Sequence, residues 1–271
     1  GKGIILNEPA VAAVDTYTDE VLAMGNEAYA MVGRTSDRIQ VLHPLCNGVI
    51  SEYDLAEYMI GYYMKKISGS KVFMPRVVVS VPCEITEVEK RAVVVSISAA
   101  GVRKICLIED PVAAAMGAGM PITEPHGTLV VDIGGGTTDL AVISLGGIAV
   151  CDSIKVAGDT FDEEIVKYLR RKYNLVIGQR MAEEAKKKIG CVLPRPESLS
   201  FRVKGRHAAT GLPAFVDLTS EEILEAMEET AEQIVQSLQT LLERTPPELM
   251  GDVYTDGAVL TGGSAQIYGM D

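Results

Sequence analysis

The segment from Asp132 to Asp139 has the composition of a phosphate-binding loop. It reads Asp-Ile-Gly-Gly-Gly-Thr-Thr-Asp and lies between two apolar runs that predict strands. Three successive glycines leave backbone N–H groups open to an anion, and the Thr137 and Thr138 hydroxyls add donors. Asp132, at the strand end, is suited to hold a hydrated Mg²⁺ beside the phosphates. A plain hairpin turn is the alternative, but such turns need only one or two glycines.

Chemistries that need paired ligands have no support in the sequence. The five cysteines and three histidines stand alone, without the short spacings of zinc or redox sites. The loop also lacks the Gly-Lys-Ser/Thr of a Walker A motif and the Gly-x-Gly-x-x-Gly of a dinucleotide turn. We therefore expect reduced thiols, no metal held by protein ligands alone, and a phosphate loop of another type.

Composition places the chain among globular proteins. It has 271 residues, 47% of them hydrophobic, and 25 Lys+Arg against 37 Asp+Glu give a formal net charge of −12. A chain of this length buries a sizeable core, and no uncharged run approaches the ~18–20 residues that span a bilayer. The negative charge repels nucleic acid phosphates, so no nucleic acid partner is expected.

Short apolar runs alternate with amphipathic stretches along the chain, which predicts an α/β fold. Strands are expected at 75–82 and 104–109, and a Thr86-x-x-Glu89 capping box opens a helix to Gly101 between them. This is the pattern of a βαβ unit.

A helix over 112–119 precedes a predicted antiparallel meander. Its strands are expected at 128–132, 139–145 and 148–156. Capping boxes at Thr160 and Thr219 predict two further helix starts, with a short helix at 182–189 between them. A last strand at 257–261 runs into Gly262-Gly263-Ser264.

The glycine loop resembles the second phosphate loop of the superfamily that contains actin, sugar kinases and heat-shock chaperone ATPases. Seven further segments follow the order and spacing of the MreB family, the bacterial actins of rod-shape determination. They are 3–9 (GIILNEP), 107–117 (LIEDPVAAAMG), 157–166 (AGDTFDEEIV), 187–190 (KKIG), 211–213 (GLP), 243–249 (ERTPPEL) and 260–263 (LTGG). Each segment is weak alone, but jointly they cover the chain, which is identified as a member of this family.

The resemblance implies an actin-like, ribonuclease H-like duplicated fold of two α/β lobes. Each lobe would have a mixed sheet with flanking helices and a small subdomain, and ATP with Mg²⁺ would bind between the lobes. The first lobe is expected at 1–120, with its small subdomain at about 12–53. The second is expected at 121–271, with its small subdomain at about 160–222.

The resemblance also assigns residues to the nucleotide. Asp132 would be a catalytic group and would hold Mg²⁺ through water. The remaining assignments are the phosphate loop (Gly134, Gly135, Gly136, Thr137), the turn facing it (Gly158, Asp159), an adenosine clamp (Glu183, Lys186) and an adenosine loop (Gly262, Gly263, Ser264). From spacing alone, Glu183 and Lys186 fit a solvated charged helix face equally well. Relatives usually have glycine at position 264, and the Ser264 hydroxyl would be available to the base or ribose.

Asp110 stands where the family usually has a Glu that orients the attacking water. Asp is one methylene shorter, so the resemblance implies slow ATP hydrolysis with nucleotide binding intact. Strand alternation points the preceding Glu109 to the opposite face and predicts a structural role for it.

Two parts of the family pattern fall outside the sequence. A first phosphate hairpin would precede Gly1, and a terminal helix and strand pair would follow Asp271. The sequence is then either a piece of a longer protein or a degenerate relative that cannot close around ATP. In the second case, and for an isolated piece, no ATPase activity is expected.

A basic segment with an apolar tip predicts membrane contact. Residues 65–76 carry four positive and no negative charges around Val72, Phe73 and Met74. Each basic residue near an anionic leaflet contributes about 1 kcal/mol, and in MreB relatives this loop inserts into the bilayer. The alternative is a loop whose tip packs on its own domain. We expect a cytoplasmic protein, peripheral at the inner face of the cell membrane.

Family membership implies self-assembly into antiparallel double protofilaments that act with cell-wall elongation proteins. The helix at 87–100 is apolar on several faces, which fits either protofilament pairing or burial between a sheet and a neighbour. The alternative function is a non-polymerising phosphotransferase or chaperone-type ATPase on the same fold. Such proteins usually carry substrate-binding insertions, whereas the predicted small subdomains are compact.

Overall fold

The chain folds as two compact units in a computed structural model that describes residues 3–68 and 75–271. Unit 1 comprises Gly1–Val81 and Ile85–Ile108, and unit 2 comprises Pro82–Glu84 and Glu109–Asp271. Within the described ranges, no helix combines the length and apolarity needed to cross a membrane.

Unit 1 opens with a small antiparallel sheet. Its strands are β1 (Ala12–Asp15), β2 (Val21–Met24) and β3 (Ile39–Leu42), in the order β2-β1-β3. Helix α1 (Asn26–Met31) covers one side of it. The buried side chains of Val11, Ala13 and Ala28 form the core between them.

The rest of unit 1 is a hairpin, two helices and a two-stranded sheet. The elements are β4 (Leu45–Cys46), β5 (Val49–Ile50), α2 (Tyr53–Ser68), β6 (Arg76–Val81), α3 (Glu87–Ala99) and β7 (Lys104–Glu109). The predicted capping box is confirmed: Glu89 N donates to Thr86 Oγ1 at 3.3 Å, and Thr86 N donates to Glu89 Oε2 at 2.8 Å. Strands β6 and β7 are neighbours, as the predicted βαβ pattern requires.

Unit 2 is built on a four-stranded sheet. After helix α4 (Asp110–Gly117) come β8 (Thr128–Ile133), β9 (Thr138–Ser144) and β10 (Gly147–Ile154), and β14 (Ala258–Thr261) joins from the end of the chain. The order is β10-β9-β8-β14, with β14 parallel to β8 and the other pairs antiparallel. The predicted meander is confirmed.

A second layer of unit 2 consists of helices and a smaller antiparallel sheet. The helices are α5 (Gly158–Tyr173), α6 (Gln179–Ile189), α7 (Ser220–Arg244) and α8 (Pro247–Asp256). The sheet has the order β11 (Leu175–Val176), β12 (Ser200–His207), β13 (Pro213–Thr219). Fully buried Phe161, Leu169, Ile223 and Met227 hold α5 and α7 against the sheets.

The predicted start of α5 is wrong. The helix begins at Gly158, two residues before the expected cap, and Thr160 lies inside its first turn. The Thr160 hydroxyl accepts from the Ala157 amide at 3.3 Å. Thr160 therefore caps backward from within the helix, and Gly158 and Asp159 present the first helical amides.

His126 ties the start of β8 to helix α8. Its Nε2 lies 2.7 Å from Asp256 Oδ2 and its Nδ1 lies 3.3 Å from Asp252 Oδ1. Asp252 Oδ2 also accepts from the Gly127 amide at 2.7 Å. The hydrogen bond to Asp256, aided by the charge of Asp252, raises the pKa of His126 against a small opposing effect of burial.

Because its pKa is raised on folding, His126 stabilises the fold at pH values below the ordinary histidine range and loses that effect as pH rises through the folded-state value. We expect His126→Gln to lower the free energy of unfolding, measured with urea, more at pH 5.5 than at pH 9. His43→Gln, at an exposed histidine, is the control. An equal loss for His126→Gln at both pH values would contradict the assignment.

Candidate functional site

The glycine segment forms the loop between β8 and β9. The strands pair with Asp132 opposite Asp139 and Ile133 opposite Thr138, so residues 134–137 make the turn. The Gly134 amide donates to the Thr137 carbonyl at 2.9 Å, and the Thr138 hydroxyl donates to the Val156 carbonyl at 2.7 Å. The loop is therefore a closed four-residue turn, larger than the two-residue turn of a minimal hairpin.

The N-terminus of α5 meets this loop directly. The Gly158 amide donates to the Gly134 carbonyl at 3.2 Å, and the Asp159 amide donates to the Gly135 carbonyl at 2.7 Å. A Cβ on Gly158 would lie 2.7 Å from Ser264 Oγ and 3.2 Å from the Gly134 carbonyl oxygen. Glycine at position 158 thus permits an approach that a side chain would block.

A third turn, at Gly262-Gly263-Ser264, closes over the end of β8. Thr261 pairs with Asp132 in the parallel β14–β8 register, and the chain then bends at Gly262 with φ of +89°. A Cβ there would lie 2.2 Å from the Ile133 carbonyl oxygen. The buried Ser264 hydroxyl donates to the Gly134 carbonyl at 2.8 Å. Its hydrogen is thus used within the protein, whereas the sequence suggested a bond to a ligand.

Asp132 lies half-buried where these turns meet. Burial raises the pKa of its carboxyl, and nearby Asp139 adds to the effect while the Thr261 hydroxyl opposes it. A cation beside Asp132 would offset both the burial and the neighbouring negative charge. In the described part of the chain, no group of three or more His, Cys, Asp or Glu could hold a metal ion. This fits Mg²⁺ carried by phosphates and one carboxylate.

Asp139 has a structural role that the sequence analysis missed. Its Oδ1 accepts from the Cys83 amide at 3.2 Å, and burial raises the pKa of the Cys83 thiol. The carboxylate therefore fixes the Pro82–Glu84 segment to β9 within unit 2. The signal was an acid that opens a strand otherwise made of apolar residues.

Lys186 points into the protein. Its Nζ lies 2.9 Å from Asp162 Oδ1 and donates to the Gly158 carbonyl at 2.5 Å. Glu183, on the same helix, pairs with Lys187. The solvated interpretation of the pair is therefore wrong for Lys186, because its side chain is only 9% exposed.

Asp110 is the first residue of α4, directly before Pro111, which suits the first turn of a helix. Its side chain is partly buried, and α4 packs on β8 and β9. Glu109 ends β7 and precedes the helix as its N-cap residue. The helix starts two residues earlier than predicted and ends at Gly117.

The predicted membrane residues Val72, Phe73 and Met74 lie outside the described residues. Of the flanking cations, Lys66 forms an ion pair with Glu8. That pairing reduces the positive charge available at this end of α2.

The sequence and the fold both match known proteins. The profile of the MreB/Mbl protein family matches residues 1–271. The cell shape-determining protein Mbl of Bacillus cereus is 47% identical over 272 residues, which cover 100% of this chain and 82% of Mbl. The resemblance inferred from the sequence is confirmed.

Among solved structures, MreB5 of Spiroplasma citri bound to AMPPNP matches with a TM-score of 0.95 and 38% identity, over 100% of this chain and 82% of MreB5. The ADP-bound form of the same protein gives a TM-score of 0.96. The MamK double helical filament shares the fold, with a TM-score of 0.80 and 23% identity over 96% of this chain and 80% of MamK. The predicted actin-like α/β fold class is confirmed.

The adjacent glycines 262 and 263 provide a matched test of the site's close packing. Gly262→Ala puts a methyl group against the Ile133 carbonyl at a positive φ, so we expect a loss of about 2–5 kcal/mol in unfolding free energy. Gly263→Ala has φ of −68° and no atom within 4 Å of the new Cβ, so we expect a change within about 1 kcal/mol. Equal losses in urea unfolding would show that the close approach is not a constraint.

Proposed function

This chain belongs to the MreB/Mbl protein family, and from that premise we propose that it is an ATP-binding, actin-like filament protein that determines cell shape. The observation that carries the proposal is the convergence of three glycine turns on one end of the unit 2 sheet. Its closest functional support is the match to MreB5 bound to AMPPNP and to ADP. The phosphotransferase and chaperone alternatives have no comparable support.

The residues of unit 2 divide the binding task among themselves. We assign the phosphates to the loop of Gly134, Gly135, Gly136 and Thr137, where backbone amides and a hydroxyl can donate. The Gly158-Asp159 turn lies against that loop. The adenosine side is assigned to Gly262, Gly263, Ser264, Glu183 and Lys186. The nucleotide supplies the bond that is hydrolysed, and Mg²⁺ supplies countercharge to its phosphates.

Asp132 has two roles in this assignment. Its carboxylate would hold the hydration shell of Mg²⁺, and that cation would favour the ionised form that burial disfavours. Asp110, at the start of α4, would orient the attacking water and accept its proton. Because Asp is shorter than the usual Glu, we propose that hydrolysis is slow and times filament turnover.

We expect Asp110→Glu to raise the rate of phosphate release about tenfold on this chain, because the longer side chain reaches further toward the water. Asp110→Asn, which removes the base, should lower the rate without weakening ATP binding. The measurement is single-turnover phosphate release. A rate for Asp110→Glu no higher than that of the parent would refute this role.

The exposed face of α3 is our candidate for pairing protofilaments in an antiparallel double filament. Val88 and Val95 are 75% and 57% exposed and lie two turns apart, on one side of the helix. The helix also packs on α2, so it is not held between a sheet and a partner on all sides. Two such faces related by a two-fold axis would bury both valines on each helix.

ATP-dependent sedimentation tests self-assembly. We expect the chain to pellet with Mg-ATP, and Val95→Glu to lower the pelleted fraction several-fold because it places a charge in the apolar contact. Val235→Glu, at a valine on α7 that is 51% exposed, should pellet like the parent. No pelleting with Mg-ATP would refute the filament, and equal pelleting of the two variants would refute the α3 contact.

We further propose that the filaments lie on the inner face of the cell membrane and act with cell-wall elongation proteins. The basis is the sequence of residues 65–76, with the apolar Val72, Phe73 and Met74 among basic residues. Many such feet in one filament would bind well even if each binds weakly.

Flotation with phosphatidylglycerol vesicles tests the membrane foot. We expect Phe73→Ser to reduce the floated fraction several-fold, because burial of one such side chain contributes about 1.5–3 kcal/mol. Tyr17→Ser removes an exposed aromatic residue elsewhere in unit 1 and should float like the parent. Equal flotation of Phe73→Ser and the parent would contradict the proposal.

A further inference from the structure

A buried ion pair links helices α5 and α6 beneath the candidate site. The side chains of Asp162 and Lys186 are 4% and 9% exposed, and Nζ lies 2.9 Å from Oδ1. Their neighbours are mostly apolar, since Phe161, Ala182 and Ala185 are fully buried beside them.

Stability alone does not account for this pair. Taking two charges out of water is costly, and apolar residues of similar volume often stabilise a core as well or better. The geometry suggests another reason, because the same ammonium group donates to the Gly158 carbonyl. Asp162 thus holds a cation over the turn that carries Gly158 and Asp159.

That turn is the one that fixes the glycine loop. The Gly158 and Asp159 amides donate to the Gly134 and Gly135 carbonyls at 3.2 Å and 2.7 Å. An unbroken series of contacts therefore runs from Asp162 through Lys186 and Gly158 to the loop. We propose that Asp162 is a positioning residue for the phosphate-binding loop, acting through Lys186; this rests on the proposed nucleotide function.

The proposal carries a pH dependence. Burial raises the pKa of Asp162 to about 6, opposed by Lys186 and reinforced by the charges of Glu183 and Asp159, which also face it. Below that pH the carboxyl is protonated and the ammonium loses its countercharge. Phosphate binding should therefore weaken as pH falls through about 6 in the parent, in addition to the titration of the nucleotide itself.

The test compares ADP and adenosine binding by calorimetry, with Mg²⁺, in the parent and in Asp162→Asn. We expect ADP affinity to fall about tenfold in the variant, with adenosine affinity nearly unchanged, since the loop contacts phosphate. Asp162→Asn should also lack the extra loss of ADP affinity below pH 6 that the parent has. Glu163→Gln, at an exposed neighbour on α5, is the matched control.

Lys186 variants separate positioning from direct contact. If Asp162 acts through Lys186, then Lys186→Met and the double variant should lose ADP affinity to the same extent as Asp162→Asn. A loss in Lys186→Met with none in Asp162→Asn would overturn the proposal, because Lys186 would then act on the nucleotide by itself. Equal losses for ADP and adenosine would also overturn it.

Amide hydrogen exchange tests the same link without a ligand. We expect the Asp159 amide to exchange at least about tenfold faster in Asp162→Asn than in Glu163→Gln, while amides in the middle of α7 are unchanged. Unchanged protection at Asp159 would overturn the positioning role. Absence of ADP binding in the parent would count against the proposed function, and the exchange result would still decide the positioning role.

Discussion

The Gly134 carbonyl oxygen joins three separate turns of unit 2. It accepts from the Gly158 amide at 3.2 Å and from the Ser264 hydroxyl at 2.8 Å, so both of its lone pairs are used. These bonds form only because residues 158 and 262 lack side chains where the backbones nearly touch. The sheet order follows the same requirement, because β14 must lie beside β8 to bring Ser264 to that carbonyl.

The charges of unit 2 are arranged around this junction. Asp139 anchors the segment that includes Cys83, Asp162 holds Lys186 over the Gly158 turn, and Asp132 stands half-buried at the end of β8. For the first two carboxylates the structure supplies a donor or a cation. Asp132 has a hydroxyl and another carboxylate as its named neighbours, so it is the carboxylate best suited to an added cation.

Much of this architecture could be predicted from the sequence, because its signals are local. Capping boxes at Thr86 and Thr219 and the apolar runs of β6 to β10 give the correct elements within a few residues. The strands of residues 12–50 are two to four residues long and carry no usable period. Strands β12 and β13 do alternate buried and exposed residues, and that signal was overlooked.

The site was predictable in its motifs and less so in its contacts. The glycine turns could be recognised as segments, but the hydrogen bond from Ser264 to Gly134 joins residues 130 positions apart. The start of α5 was misplaced because Thr160 fits a capping box, whereas its hydroxyl bonds backward to Ala157. Lys186 was taken for a ligand contact because its buried partner, Asp162, lies on another helix.

The most direct test of the account is the affinity of the 271-residue chain for Mg-ATP, measured by calorimetry beside Asp132→Asn and Asp217→Asn. Asp217 is an exposed carboxylate paired with Arg202, so it controls for the loss of one negative charge. The account predicts saturable, Mg²⁺-dependent binding that weakens at least about tenfold in Asp132→Asn and is unchanged in Asp217→Asn. No binding by the parent, or equal affinity in the two variants, would contradict it.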